Sequence, residues 1–572
     1  MKPFIKHLIK YLGLCAVSAV LCAACTQAVE ETQQRAVQVK PSSGAVNEHV
    51  VEQEEVVSAA DAAYASPRAA HKAMLLGGTH ALPPQAIRMA VVPADRENYA
   101  TVEDNGTRLV AESPVSTFSI DVDTGAYANV RRFLHRGSLP NQDAVRAEEL
   151  INYFSYSYPA PESLRQPFSV TTEMAPTPWN QHTRLLHIGI KGYSQPAAAL
   201  PAANLVFLVD VSGSMNSPDK LGLLKAALKM LSRQMRAEDK VAIAVYAGAA
   251  GVVLEPTAGN QTASIAAALD RLTAGGSTNG GAGIELAYNL AEQSFIKGGV
   301  NRVILVTDGD FNVGTTNFAA LKQLVEAKRK TGIALTTLGF GTGNYNDHLM
   351  EQIADAGNGN YAYIDTLNEA RKVLVEERAA TLLTIAKDVK IQIEFNPAVV
   401  SEYRLIGYEN RLLKREDFNN DKVDAGEIGA GHTVTALYEI TLADSEAQRI
   451  TPLRYGNTQP PQAGKQAELA FLRLRYKQPD EQRSRLIEQP LYRADIQDTL
   501  AATSDNYRFS AAVAAFAQLL RGGEHTGQFS YADVLALARG ARGEDRFGYR
   551  GEFLQLVGLA DSLAESPVNS SR

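Results

Sequence analysis

Two stretches of the chain are apolar without a break, and each runs into an aspartate. Leu205-Val206-Phe207-Leu208-Val209 ends at Asp210, and Val303-Ile304-Leu305-Val306 ends at Thr307-Asp308. A strand with no polar face has nothing to offer water, so it belongs in a sheet covered on both sides, and such sheets are parallel. Val241 to Tyr246, Ile333 to Phe340 and Tyr361 to Ile364 read as further strands. Between them Leu221, Leu224, Leu228, Leu231 and Met235 recur at helical spacing, with Ser217 placed to cap that helix and Pro218 at its first position. Another helix is expected from about Phe318 to Lys330, stopped at Gly332. The alternation predicts an α/β domain over residues 204–382, built on a doubly wound, mainly parallel sheet. At 572 residues the chain has room for three or four such units, and 45% hydrophobic with 21% charged residues excludes collagen-like, coiled-coil and wholly disordered chains.

Ligands of a doubly wound sheet gather beyond the carboxyl ends of its strands, which is where Asp210 and Asp308 fall. Asp210-Val211-Ser212-Gly213-Ser214 is a D-x-S-x-S loop, and Thr278 lies in Gly275-Gly276-Ser277-Thr278-Asn279, ahead of another helix. This combination resembles the von Willebrand factor type A domain. Asp210, Ser212, Ser214, Thr278 and Asp308 match its metal-ion-dependent adhesion site. The resemblance implies a Rossmann-like fold with Mg²⁺ at the site, Mn²⁺ and Ca²⁺ remaining open. It also implies that Ser212 and Ser214 ligate directly, that Thr278 does so in the ligand-competent state, and that Asp210 and Asp308 act mainly through bound waters. A dication held by neutral oxygens gains from a carboxylate supplied from outside. The implied partner is therefore a protein presenting an Asp or Glu side chain. Without a metal, Ser212 and Ser214 would merely cap a helical turn. Gly275, Gly276, Gly280 and Gly281 make the Thr278 loop compliant, which suits a switch or a tight turn equally.

Lys2, Lys6 and Lys10 precede an apolar stretch from Tyr11 to Ala24, short for a permanent membrane helix and suited to a signal peptide over residues 1–24. Leu21-Cys22-Ala23-Ala24-Cys25 resembles the lipobox of bacterial lipoproteins, which implies lipidation of Cys25 and a lipid anchor in the cell envelope. Thr26, rather than Asp, favours the outer membrane by the same resemblance. Cleavage before Cys25 removes every other cysteine, so no internal disulfide is expected. It also leaves 53 basic against 63 acidic side chains, which with no run of five basic residues argues against nucleic acid. Residues 25–93 are rich in Ala, Val, Gln and Glu and poor in aromatics, the composition of a flexible tether.

Residues 94–203 and 383–565 flank the central domain. Ser116 to Asp123 alternates as a strand, Thr124 is placed to cap a helix carrying Tyr127, Val130, Phe133 and Leu134, and a second helix is expected from about Asp143 to Phe154. Val389, Ile391, Ile393 and Phe395 alternate with Lys390, Gln392 and Glu394, the mark of a strand with one wet face. Further strands are expected near 434–440 and 469–476, then helices with Phe509, Val513, Phe516 and Leu520 on one face and Phe553, Leu556, Val557 and Leu563 on another. Neither flank has strands enough for a covered sheet, so residues 95–200 and 385–480 are expected to pack together. Asp121 and Asp123 could suggest a second cation site but read better as solvated turn residues. Asp417 to Asp421 lacks the Gly and Glu of a calcium loop. Ser217-x-x-Lys220, Lys330-Thr331-Gly332 and Ser504-Asp505-Asn506 match elements of penicillin-binding enzymes in the wrong order. The arrangement is similar to a family of bacterial lipoproteins. The function expected is non-enzymatic, membrane-anchored, cation-dependent protein binding; the alternative is a structural envelope lipoprotein whose cation only stabilises the central domain.

Overall fold

A computed structural model describes residues 97–565 apart from 197–198, 277–279, 310–317, 344, 452 and 455–466. The N-terminal flank supplies β1 (Arg108–Leu109), β2 (Val115–Ser119), β3 (Phe168–Thr177) and β4 (Asn180–Gly192). The centre supplies β5 (Ala203–Asp210), β6 (Lys240–Tyr246), β7 (Ala250–Ala258), β8 (Val300–Thr307), β9 (Ala334–Phe340) and β10 (Tyr361–Ile364). The C-terminal flank supplies β11 (Thr384–Phe395), β12 (Val400–Ile406), β13 (Ile428–Gly429), β14 (Thr433–Leu442), β15 (Glu468–Lys477) and β16 (Arg485–Tyr492).

The six central strands form one sheet in the order β10-β9-β8-β5-β6-β7, parallel except for β7. Every residue of β5 is buried, as its composition requires. Helices Leu223–Ser232 and Thr262–Asp270 cover one face. Helices Gly280–Gln293, Phe318–Arg329 and Asp347–Ala356 cover the other. The chain leaves β5 towards β6 on one side and later returns to β8 on the other, so the topological switch point lies between β5 and β8.

β7 is a strand that periodicity does not reveal. It pairs antiparallel with β6 at the sheet edge, half-buried, with a bulge at Glu255 and Pro256 opposite Ala242. Proline is tolerated at an edge because its missing N–H faces away from the ladder. The expected cap at Ser217 is also replaced: one wide turn, Pro218–Gly222, leads into the helix, and the Ser217 hydroxyl donates to Asp219 Oδ1 at 2.5 Å. Gly280 and Gly281 are the first residues of a helix rather than part of a loop.

The flanks interleave. One sheet runs β1-β12-β14-β4-β3, with β4 between β14 and β3. The other runs β13-β11-β15-β16, with β2 also on β11. The two sheets enclose a shared core that includes Phe118, Ile188, Ile391, Phe395, Tyr438 and Leu472. The far side of the first sheet is covered by helices Asp505–Leu520, Tyr531–Arg539 and Tyr549–Ala564 with Gly125–His135 and Ala147–Asn152. There Phe154 meets Phe509 and Phe553 edge-on, at centroid distances of 5.0 and 5.6 Å. The helix expected from 143 to 154 is broken, with a short turn at Gln142–Ala144 and extended backbone at Val145 and Arg146.

Local capping gives way to distant charge at Gly125–His135. Thr124 makes no side-chain cap; the Ala126 N–H instead donates to Glu149 Oε2 at 2.7 Å. The wet face expected of β11 is mostly dry. Lys390 is 1% exposed and donates to the carbonyls of Asp417 and Asn420, while Gln392 bonds Thr117, so only Glu394 remains exposed. Asp121 and Asp123, read from sequence as solvated, are each 4% exposed. Arg411 binds both, at 3.1 and 3.3 Å, which makes that burial tolerable.

Candidate metal centre

Asp210 ends β5 and Asp308 follows β8, so the switch point brings two carboxylates together, both fully buried. Asp210 is held on both oxygens. The Ser212 N–H donates to Oδ1 at 2.8 Å, and the hydroxyls of Thr307 and Tyr246 donate to Oδ2 at 3.0 and 3.2 Å. Burial pushes its carboxyl above the usual range and Asp308 adds to the rise, while the bonds from Ser212 and Thr307 pull it back. Thr307, unremarked in the sequence, accepts in turn from the Gly309 N–H at 3.2 Å. Gly309 has φ +87°, and a side chain there would strike the backbone of Tyr345 and Asn346.

The hydroxyls of Ser212 and Ser214 lie 3.0 Å apart, Ser212 buried and Ser214 exposed. The two hydroxyls are hydrogen-bonded to each other, and as adjacent neutral oxygens they suit a hard divalent cation. The chain therefore sets two hydroxyls at the rim above two carboxylates whose oxygens already accept hydrogen bonds from the protein. The turn is stapled to the next loop: the Gly275 N–H donates to the Val211 carbonyl at 2.7 Å and the Gly213 N–H to the Gly276 carbonyl at 3.1 Å. Gly276 has φ +86°, which a side chain would resist. Thr278, two residues on, lies outside the described residues, as does Cys25 with its flanking segment.

One residue at the centre was not anticipated in this role. Lys220 reaches in from the turn Pro218–Gly222 and donates through Nζ to Asp308 Oδ2 at 2.9 Å, with 9% of its side chain exposed. The sequence signal was a lysine ten positions beyond Asp210 that precedes the apolar stripe of its helix.

A second set of acids lies at the seam between the central domain and the flanks. Oxygens of Asp121, Glu149 and Glu351 come within 4.8 Å of one another, all buried. Arg411 binds Asp121, Asp123, Glu351 and Asp355, and Arg146 binds Glu149 and Asp347. Asp347, Glu351 and Asp355 stand one turn apart on helix Asp347–Ala356, so a single face of that helix meets both arginines. Arg131 adds a third joint, to Asp365 at 2.5 Å, Glu369 at 2.7 Å and Glu552 at 3.0 Å. These groups already answer one another and act as an ion-pair seam. Among the described residues no helix is long and apolar enough to cross a membrane.

Comparison with known proteins agrees with this geometry. Residues 204–376 match the family described as von Willebrand factor type A domain, residues 93–187 that described as von Willebrand factor, and residues 380–563 that described as Uncharacterized protein YfbK, C-terminal. Uncharacterized protein YfbK of Escherichia coli is 49% identical over 474 residues, 82% of this chain and 81% of that relative. Uncharacterized protein sll0103 of Synechocystis is 31% identical over 170 residues, 29% of this chain and 39% of that relative. The solved structure of von Willebrand factor type A from Catenulispora acidiphila is similar with a TM-score of 0.37 at 14% identity, over 68% of this chain and 89% of that one. The central domain is thus a von Willebrand factor type A domain, a module that commonly binds a divalent metal and generally serves metal-dependent protein interaction.

Proposed function

Since the chain belongs to the YfbK family of proteins that carry a von Willebrand factor type A domain, we propose that it binds a partner protein through a divalent cation at the carboxyl ends of β5 and β8. The observation that carries this reading is the division of labour at the rim. Ser212 and Ser214 offer neutral oxygens 3.0 Å apart, while Asp210 and Asp308 stay buried beneath them. Bound there, Mg²⁺ supplies a coordination position for an Asp or Glu side chain of the partner. Thr307, Tyr246 and the Ser212 N–H hold Asp210 in one orientation, and the Gly275 and Gly276 staples fix the turn that carries the two hydroxyls. Thr278 completes the donor set in this reading. The module binds and does not turn over a substrate.

The proposal also gives the chain an address. Lys2, Lys6, Lys10 and the Leu21 to Cys25 segment support secretion, lipidation of Cys25 and an anchor in the bacterial outer membrane. The test is a pull-down from envelope extract in Mg²⁺, in EDTA and with Asp210→Ala, bound proteins being identified by mass spectrometry. Partners lost with both treatments, while the variant keeps its folded circular dichroism spectrum, support cation-dependent binding. Partners retained through both would leave the cation a purely structural role and end the proposal.

A further inference from the structure

We propose that Lys220 sets the charge of the metal centre, keeping the loaded site one charge positive so that it holds its metal loosely and an outside carboxylate firmly. The proposal rests on the carboxylate-binding reading above. Its basis is the buried ion pair of Lys220 Nζ with Asp308 Oδ2 at 2.9 Å, the aspartate fully buried. The lysine's path is built for it. Gly341, at φ +74°, has no side chain, and a Cβ there would overlap the Cγ, Cδ and Cε methylenes of Lys220. The Tyr363 hydroxyl donates to the Gly341 carbonyl and holds that backbone in place. Lys220 is therefore aimed at Asp308 from within the fold; it is not a surface lysine that happens to lie near an acid.

The charge count gives this placement its consequence. Asp210 and Asp308 contribute two negative charges and Lys220 one positive. A divalent ion brings the site to one net positive charge with Lys220 present and to zero without it. The ammonium repels the ion and attracts an incoming carboxylate through the same Coulomb interaction, in a setting where Asp308 itself is shielded from water. A neutral residue at 220 would tighten the metal and weaken the carboxylate. A lysine serving only to satisfy Asp308 would stabilise the fold without favouring the carboxylate.

The two roles separate in calorimetric titrations of MgCl₂ into the full chain in detergent, in sodium chloride and in sodium acetate of equal ionic strength. Relative to wild type, Lys220→Met should bind Mg²⁺ about tenfold more tightly in chloride, the effect of one removed like charge near the ion. Acetate should tighten Mg²⁺ binding to wild type by about threefold or more and leave Lys220→Met nearly unchanged. Lys220→Gln, which keeps a donor for Asp308 but no charge, should repeat both results and stands in if the methionine variant does not fold. Lys220's role is overturned if either variant binds Mg²⁺ within about twofold of wild type, or if acetate acts on all three alike. Wild type failing to bind Mg²⁺, or Asp210→Ala binding it as well as wild type, would overturn the site itself and this inference with it.

Discussion

Glu351 gives direct access to the energetics of the seam between the central domain and the flanks. It is 5% exposed, receives Arg411 at 3.1 Å, and lies with Asp121 and Glu149 in the buried acid group. Burial pushes its carboxyl up to about 8; Arg146 and Arg411 oppose the rise, while Glu149 and Asp121 add to it. Burial likewise raises Glu427 to about 7. A carboxyl whose folded pKa exceeds its unfolded value binds its proton better when folded. The stability it contributes is complete below the unfolded value and is lost as pH rises to the folded one. For Glu351 the window is 4.5 to about 8. The buried His187 and His432 are held down to about 4, below 6.5, so their contributions change only beneath 6.5. From pH 6.5 to 8 Glu351 therefore removes about 2 kcal/mol and Glu427 about 0.7 kcal/mol, at about 1.4 kcal/mol per pH unit. Burial raises Asp123 and Glu148 as well, and both push the same way. A folded body of this size unfolds with about 1 kcal/mol/K of entropy, so Tm should fall by about 2–3 °C across that window. Glu351→Gln should lose the Glu351 share, about 2 °C of that fall, and keep the remainder. The assay is differential scanning fluorimetry from pH 6.5 to 8 at constant ionic strength. A wild-type Tm that stays level or rises, or a variant that falls as far as wild type, would refute the reasoning.

Two other outcomes test the same architecture. Arg131→Met leaves Asp365 and Glu369 buried without their counter-charge and should lower stability by about 3–5 kcal/mol, read as a Tm drop of about 3–5 °C, partly recovered on acidification. Residues 97–200 expressed alone should melt without cooperativity, because β2 then lacks β11 and β4 lacks β14. A protease-resistant fragment with a sharp transition would contradict the interleaving of the flanks.

Sequence alone settled the five parallel strands of the central sheet, and missed its antiparallel edge strand β7. The apolar runs before Asp210 and Asp308 are incompatible with a wet face, and the D-x-S-x-S loop at the end of the first run marks the same strand terminus that topology makes a switch point. The pairing of the two flanks was also legible, since a few strands on each side of an inserted domain cannot cover a sheet separately. Tertiary structure decided where charge could be buried. Asp121 is separated from Arg411 by 290 positions, and Lys220 from Asp308 by 88. Glu149 replaces Thr124 as the group that caps Gly125–His135. Periodicity along the chain reports whether a residue's own face meets water or apolar neighbours. It carries no information about a counter-charge supplied from a remote segment, and that counter-charge is what lets Asp121 and Asp308 leave solvent. The meeting of Asp210, Ser212 and Asp308 at one end of the sheet could therefore be named in advance, while the lysine beside Asp308 could not.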